Sequence, residues 1–262
     1  MLVKFIKNKI IDYNERSLTT ALHRNIVQEV ERASVLGQKN FPAEIILPQN
    51  YGKGLPERVV ELLLLKLSYS PNIRVLDVGH ANAMDCHLKV LQSLPRPSYI
   101  TGIDIANPVY DSHLYYKQSM IGDITKTPFS DGEFELIWCI SALEHFGMDN
   151  SVYTENFERE NTMDIQAIHE MLRLLTTGGK LLITVPYGKY EDHGWFKNYD
   201  KEHWQRLINI VQSKAKVQEW YFRHTFGKGW SSVHPDELQY IGYYDQANSG
   251  AAGLAAVYIT KR

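Results

Sequence analysis

Residues 73–85 read Ile-Arg-Val-Leu-Asp-Val-Gly-His-Ala-Asn-Ala-Met-Asp, and residues 99–104 read Tyr-Ile-Thr-Gly-Ile-Asp. Each stretch contains a short β-branched run that ends at or near an aspartate, which is typical of a strand, and residues 88–94 between them predict a crossover helix. The sequence therefore predicts a βαβ unit with two parallel strands. Because ligands of open α/β sheets bind beyond the carboxyl ends of the strands, it also predicts a binding site there.

The residues before this unit predict two helices outside the sheet. Ser17 is a good N-cap, the apolar residues after it recur at helical spacing, and Gly37 offers a C-terminal cap. A second amphipathic helix is predicted from Pro56 to Leu67. Residues 1–70 are therefore predicted to form a helical extension or lid, and residues 71–262 the main domain.

The residues after the unit continue the alternation of strands and helices. The apolar run at residues 134–140 is typical of a central parallel strand that is buried on both faces. The other predicted elements are a short strand edge at 121–124, a helix from Asp164 closed by Gly178 and Gly179, a strand at 181–185, a helix at 204–211, and two strands at 217–224 and 255–260.

Composition limits the classes of function. The chain has 262 residues, 44% of them apolar, and a formal net charge of −2, so neither its overall charge nor a basic run favours nucleic acid. The N-terminus lacks the continuous apolar core of a signal peptide, and no apolar run is long enough to span a membrane. A cytoplasmic protein is expected, with Cys86 and Cys139 buried, reduced and inert.

Three aspartates follow or end successive predicted strands. Asp77 lies two residues before Gly79, and neither a dinucleotide-binding Gly-x-Gly-x-x-Gly turn nor a phosphate-binding Gly-x-x-x-x-Gly-Lys-Ser/Thr loop is present, so a pyrophosphate ligand is disfavoured. Asp77 suits an ammonium group, Asp104 a ribose diol and Asp123 an adenine amine. Each acid alone is read more simply as an exposed strand end or an Asx turn. The three together describe S-adenosylmethionine.

These motifs resemble those of class I S-adenosylmethionine-dependent methyltransferases. The resemblance implies a Rossmann-like α/β fold with a seven-stranded sheet, mostly parallel with an antiparallel C-terminal hairpin, and with helices on both faces. It covers roughly residues 70–190. The matching segments are 75–79, 102–104, 122–124 with 127–134, 136–145, and 170–175 with 178–181.

The resemblance also implies a cofactor site. Asp77 and Gly79 would hold the methionine end of S-adenosylmethionine, Asp104 the ribose, and Asp123 with Ile124 the adenine. Ser141 would form the back of the pocket near the cofactor amine, and Ala81 and Ile105 complete the predicted set. Methyltransferases of this class usually have three alternating glycines in the first turn, and here the second and third places are Ala81 and Ala83. The alternative is a non-catalytic binding module with a degenerate cofactor pocket.

The candidate catalytic residues follow the fourth and fifth predicted strands. His145 is the first candidate, as a general base or acceptor-orienting residue, because histidine titrates near neutral pH. Asp192 and His193 are second candidates, and a solvated loop is the competing interpretation of that pair. Glu144, His145 and Asp149 carry metal-ligating groups at a spacing that is only a weak signal, so no metal is predicted.

The predicted reaction is methyl transfer to a small-molecule acceptor. Because of His145, the preferred acceptor atom is a hydroxyl oxygen of a sugar, nucleotide-sugar or natural product. An N-methyltransferase acting on a small amine is the enzyme alternative. No nucleic-acid or membrane partner is expected, and the N-terminal helices are predicted to form a lid or a homodimer contact.

Overall fold

A computed structural model describes residues 2–34, 41, 44–95, 99–151, 159–245 and 250–262. Within these residues the helices are α1 (Leu2–Ser34), α2 (Arg58–Ser68), α3 (Asp85–Ser93), α4 (Met163–Leu174) and α5 (Lys201–Gln212). The strands are β1 (Val75–Val78), β2 (Ile100–Asp104), β3 (Gln118–Ile121), β4 (Phe134–Ile140), β5 (Leu175–Pro186), β6 (Glu191–Asp192), β7 (Lys197–Asn198), β8 (Ala215–Thr225), β9 (Gly229–Ser232) and β10 (Gly253–Lys261).

The main sheet has the strand order β3-β2-β1-β4-β5-β10-β8-β9. Strands β1 to β5 are parallel, whereas β10 runs antiparallel to both β5 and β8. This order confirms the Rossmann-like sheet with an antiparallel C-terminal hairpin. The described part of the chain contains eight strands in this sheet instead of seven. The additional strand, β9, has the short sequence Gly-Trp-Ser-Ser, whose period-two signal is too brief to be recognised.

Helices cover both faces of the sheet, and the residues of β4 alternate between the two cores. Leu136, Trp138 and Ile140 belong to the core under α1, α2 and α3. Ile137 and Cys139 belong to the opposite core, under α4 and α5. This division is the period-two alternation of a strand whose two faces are both buried.

Several element boundaries differ from the sequence predictions. Helix α1 begins at Leu2 and not at Ser17, because residues 2–16 contain no glycine or proline to interrupt it. The predicted cap at Gly37 lies outside the described residues. The third strand ends at Ile121, earlier than predicted, because Asp123 instead caps a 3-10 helix by accepting a hydrogen bond from the Thr125 N–H at 2.8 Å. Among the described residues, no helix is long and apolar enough to cross a membrane.

Strand β9 fastens the segment before α2 to the far edge of the sheet. The Trp230 backbone N–H donates to the Tyr51 carbonyl at 2.8 Å, and its indole Nε1–H donates to the Leu55 carbonyl at 3.0 Å. The Ser232 hydroxyl donates to the Ile45 carbonyl at 2.6 Å. The N-terminal segment is therefore held by hydrogen bonds as well as by the apolar core that it shares with the sheet.

A buried hydrogen bond joins α2 to the central strand and gives a stability prediction. The Trp138 Nε1–H donates to Ser68 Oγ at 2.8 Å, and both residues are buried. Ser68→Ala should reduce the free energy of unfolding by about 1–3 kcal/mol, because it leaves a buried indole donor unpaired. Chemical denaturation measures the change. Ser93→Ala is the control. The Ser93 hydroxyl, like that of Ser68, donates to the backbone carbonyl three residues earlier, but Ser93 lies at the end of α3, away from Trp138. Equal losses in the two variants would contradict this role of Ser68.

Candidate functional site

A cavity of about 410 Å³ opens at the carboxyl ends of the parallel strands. This volume lies in the range of small-molecule sites, and the position is where open α/β sheets bind ligands. Its walls come from the residues that follow β1, β2, β3 and β4. The lining residues are Val78, Gly79, Asn82, Ile103, Asp104, Ile105, Gly122, Asp123, Ile124, Lys126, Ser141, Ala142, His145, Phe146, Asn150, Glu160 and Met163.

The turn after β1 requires glycine at position 79. Gly79 has φ of +85°, and a Cβ atom there would lie 2.4 Å from the Cβ of Ala142. Among the described non-glycine residues, positive φ occurs only at Asn50, Asn72 and Ser141, so Ala81 does not occupy a backbone conformation that needs glycine. Its side chain is fully buried and does not line the cavity. Alanine at position 81, where methyltransferases of this class usually have glycine, therefore does not disturb the close approach of Gly79 to Ala142.

Asp104 is fixed at the cavity wall by backbone donors. Its Oδ2 accepts from the Ala81 N–H at 2.8 Å, and its Oδ1 accepts from the Ala106 N–H at 2.9 Å. Each carboxylate oxygen can accept a second hydrogen bond, so the half-buried side chain retains acceptor capacity toward the cavity. The arrangement suits a ligand with two adjacent hydroxyls.

The loop after β3 supplies the next wall. Asp123 Oδ1 accepts from the backbone N–H and from the hydroxyl of Thr125, both at 2.8 Å. Among the described residues Oδ2 has no protein partner. Ile105 and the buried Ile124 also line the cavity, together with Phe146 from the loop after β4. An apolar slot with one carboxylate at its edge suits a planar ring that carries an amine.

Ser141 joins the cavity to helix α2. It has φ of +44°, and its hydroxyl donates to Glu61 Oε1 at 2.5 Å. The Thr184 hydroxyl donates to the same oxygen at 2.9 Å, so a fully buried carboxylate from α2 lies across the ends of β4 and β5. Glu61 was not among the site residues predicted from the sequence. The available signal was a single acid within the apolar run of α2, where every neighbour from Val59 to Leu65 is buried.

Asp77 does not line the cavity. Its buried Oδ2 accepts from the Tyr116 hydroxyl at 2.7 Å and lies 3.4 Å from His87 Nε2. Burial and the charge of Asp77 raise the pKa of Tyr116, so the phenol stays protonated. Asp77 therefore lies behind the lining of the cavity. Its predicted contact with the cofactor stays a prediction.

His145 lies in the cavity wall. Its Nδ1 is 2.8 Å from the carbonyl of Trp195, and its ring packs on the Trp195 indole with centroids 5.1 Å apart. Burial lowers the pKa of His145, although the Trp195 carbonyl opposes this effect, so the imidazole is neutral at neutral pH. With Nδ1–H donating to a carbonyl, the lone pair of the neutral ring belongs to Nε2.

Asp192 and His193 lie outside the cavity lining. Asp192 forms an ion pair with Arg159, and its Oδ1 accepts from the Gly194 N–H at 2.9 Å. Partial burial opposes these two interactions, but together they lower the pKa of Asp192. His193 stacks on Phe196 with centroids 4.4 Å apart. The structure does not bring this pair beside His145 in the cavity wall, so their catalytic role stays a prediction. In the part of the chain that is described, no group of three or more metal-ligating side chains forms a metal site.

Parts of the chain are similar to known proteins. Residues 76–183 match the family described as "Methyltransferase domain". An uncharacterized protein, MJ0638 of Methanocaldococcus jannaschii, is 25% identical over 147 residues, which cover 56% of this chain and 56% of that one. Among solved structures, the YcgJ protein from Bacillus subtilis has a TM-score of 0.49 and 14% identity, over 78% of this chain and 98% of that chain. The 1,6-didemethyltoxoflavin-N1-methyltransferase from Burkholderia thailandensis has a TM-score of 0.47 and 11% identity, over 73% and 72%.

Residues 76–183 therefore match a methyltransferase domain, and the strand order agrees with the Rossmann-like sheet that the motifs predict. The motifs predict S-adenosylmethionine as the cofactor. The residues present fit it, because the cavity offers two aspartates at its wall, an apolar slot, and a glycine turn with no room for a Cβ atom.

Proposed function

We propose that the protein transfers a methyl group from S-adenosylmethionine to a small-molecule acceptor. The observation that carries the proposal is the cavity at the strand ends, because Asp104, Asp123 and His145 all line it. When bound, S-adenosylmethionine supplies an electrophilic methyl group. The residues of the chain have to hold the two reactants in line and exclude water.

In this proposal each part of the cofactor is held by different residues of the cavity. Asp104 accepts from the ribose hydroxyls, and Asp123 accepts from the adenine amine while Ile105 and Ile124 cover the ring. Gly79 and Ser141 border the methionine end. Support comes from the hydrogen bonds that orient Asp104 and Asp123 and from their position in the lining.

The acceptor side lies next to His145. A connected set of rings runs from it through Trp195 and Phe196 to Tyr243, with centroid distances between 4.8 and 5.1 Å. Aromatic faces of this kind bind flat or cationic small molecules. A hydroxyl acceptor remains the prediction from sequence. An N-methyltransferase acting on a small amine stays the enzyme alternative. The homodimer through the N-terminal helices also stays a prediction.

Calorimetry with S-adenosylhomocysteine tests the proposal directly. Saturable binding is expected, followed by transfer of label from radioactive S-adenosylmethionine to small molecules of the source organism. Failure to bind S-adenosylhomocysteine at millimolar concentration would support the degenerate pocket instead.

His145→Ala separates the two kinds of acceptor. For a nitrogen acceptor, we expect the dissociation constant of S-adenosylhomocysteine to change less than threefold and kcat to fall less than about tenfold, because no hydroxyl proton has to be removed. A general base is worth about 10²–10⁴ in rate. A loss of kcat in that range would therefore support a hydroxyl acceptor. Trp195→Ala is the control for lost ring packing, since Trp195 contacts His145 but has no titratable group.

A further inference from the structure

His80 is buried directly behind the turn that follows β1. It is 1% exposed, and it lies in the chain between Gly79 and Asn82, which both line the cavity. A buried imidazole needs hydrogen-bond partners for its two ring nitrogens. The partners of His80 come from the loop after β2 and from β3, so this one side chain connects the turn after β1 with two further segments of the sheet edge.

Tyr110, in the loop after β2, makes two contacts with His80. Its hydroxyl donates to the His80 carbonyl at 2.9 Å and lies 2.8 Å from His80 Nδ1. Because the single hydroxyl proton is used at the carbonyl, this pattern assigns a proton to Nδ1, which donates to the Tyr110 oxygen. Nε2 of the neutral ring then accepts from the Ser119 hydroxyl at 3.2 Å. Every polar atom of the pair therefore has a partner.

The protonation states of both side chains fit these bonds. Burial lowers the pKa of His80, although the charges of Asp77 and Asp104 oppose this effect, so the imidazole is neutral at neutral pH. Burial also raises the pKa of Tyr110, so its hydroxyl keeps the proton that it donates. The two bonds between these residues therefore persist at neutral pH.

The His80 ring is held in one position by its packing. A Cβ atom at Gly102, in β2, would lie 2.6 Å from both Nε2 and Cδ2 of the ring, so the ring lies directly on the backbone of that strand. On another side it packs on Tyr116, with ring centroids 4.7 Å apart. The direction in which Nδ1 donates is therefore fixed by the fold.

The same turn holds the carboxylate of Asp104. The Ala81 N–H donates to Asp104 Oδ2 at 2.8 Å, and the Ala81 carbonyl accepts from the Val109 N–H at 3.0 Å. Two successive residues of the turn, His80 and Ala81, are thus bonded to two successive residues of the loop after β2, Val109 and Tyr110. These bonds fasten the turn to the loop on the side of the sheet edge where Asp104 lies.

We propose that His80 and Tyr110 are positioning residues, whose paired hydrogen bonds hold the turn after β1 where its Ala81 N–H orients Asp104 toward the ribose hydroxyls of the cofactor. The inference rests on the proposed methyltransferase function and adds two residues that do not line the cavity. In this proposal neither of them touches the cofactor.

Loss of the paired bonds would act through the freedom of the turn. With the Tyr110 hydroxyl removed, only the Val109 N–H still bonds this turn to that loop, and the Ala81 N–H no longer has a fixed position beside Asp104. Ordering a loose carboxylate when the ligand binds reduces affinity, even though the carboxylate itself is still present. The expected defect is therefore weaker binding in a folded protein.

Tyr110→Phe is the first test, because it removes only the hydroxyl and keeps the ring. Calorimetry on the full chain should show S-adenosylhomocysteine bound at least fivefold more weakly. Tyr115→Phe is the matched control, since the Tyr115 ring packs on Tyr110 with centroids 5.6 Å apart but its hydroxyl does not bond to His80. It should change the affinity less than twofold.

A double-mutant cycle distinguishes positioning from a general loss of structure. If Tyr110 acts through Asp104, adding Tyr110→Phe to Asp104→Ala should weaken binding less than twofold, because no carboxylate is left to orient. A merely structural role of Tyr110 would give the same loss in both backgrounds. Equal losses would overturn the inference.

Three replacements of His80 identify the nitrogen that matters. His80→Leu fills similar space without a hydrogen bond and should weaken binding at least tenfold. In His80→Asn the amide can donate from about the position of Nδ1, and binding should return to within threefold of the unaltered protein. In His80→Gln the amide reaches the position of Nε2 instead, so binding should stay weak. Equal affinities in the Asn and Gln variants would show that the bond to Tyr110 is not the cause.

The outcomes separate this inference from the proposed function. If the unaltered protein does not bind S-adenosylhomocysteine, the proposed function itself fails. If it binds and Tyr110→Phe binds within twofold of it, the cofactor site stands and only the positioning role of His80 and Tyr110 is overturned.

Discussion

Asp104→Ala is expected to weaken the binding of S-adenosylhomocysteine about 100-fold. The variant loses two hydrogen bonds from hydroxyls to a charged acceptor, each worth about 1.5–3 kcal/mol. The expected 100-fold loss corresponds to about 2.7 kcal/mol, close to the lower limit for the pair. It also releases the Ala81 N–H, which holds the loop after β1 against Asp104, and the Ala106 N–H within the loop after β2. Isothermal calorimetry at constant pH measures the change.

The control for Asp104 is another aspartate with the same local role. Asp111 also accepts a backbone N–H two residues ahead, that of His113 at 3.2 Å, but it does not line the cavity. Asp111→Ala should bind S-adenosylhomocysteine as the unaltered protein does. If Asp104→Ala binds equally well too, the assignment of the ribose to Asp104 is wrong although the methyltransferase class is right.

Gly79→Ala is expected to reduce the free energy of unfolding by roughly 3 kcal/mol and to abolish measurable cofactor binding. The added methyl group would lie 2.4 Å from the Cβ of Ala142, and the residue would have to keep φ at +85°. Backbone strain of this kind costs about 1–3 kcal/mol, and overpacking a filled site costs about as much again. Denaturant unfolding and calorimetry give the two quantities separately.

Gly178→Ala isolates the backbone part of that effect. Gly178 has φ of +77°, and a Cβ atom there would meet nothing within 4 Å. Its replacement should therefore cost about 1–2 kcal/mol and leave cofactor binding unchanged. If the two variants lose the same stability, contact with Ala142 contributes nothing and the turn after β1 is less tightly packed than we infer.

The sequence was most informative where local pattern and structure coincide. The apolar run 134–140 matches β4, and the strand-end acids Asp104 and Asp123 line one cavity, because the carboxyl ends of parallel strands share an edge. Asp77 shows the limit of that reasoning. Its position in the first motif could be read from sequence, but the direction of its carboxylate depends on Tyr116, which is 39 residues away in the chain.

The position of Glu61 could not be predicted for the same reason. Glu61 bonds to Thr184, and 123 residues separate them, so nothing local reveals that α2 crosses the ends of β4 and β5. Ala81 illustrates the opposite case. Its presence where related turns have glycine suggested a weakened pocket, but the burial of its methyl group within the protein removes the physical reason for that weakness.

The bonds between β9 and the segment before α2 bear on protein engineering. Glu61 lies in helix α2, and residues 45–55 ahead of this helix are anchored by Trp230 and Ser232. A chimera that replaced only the N-terminal segment would leave Trp230 and Ser232 facing the backbone of another protein. A graft that brings in a new N-terminal segment would therefore have to exchange β9 as well, although Leu55 and Trp230 are 175 residues apart in the chain.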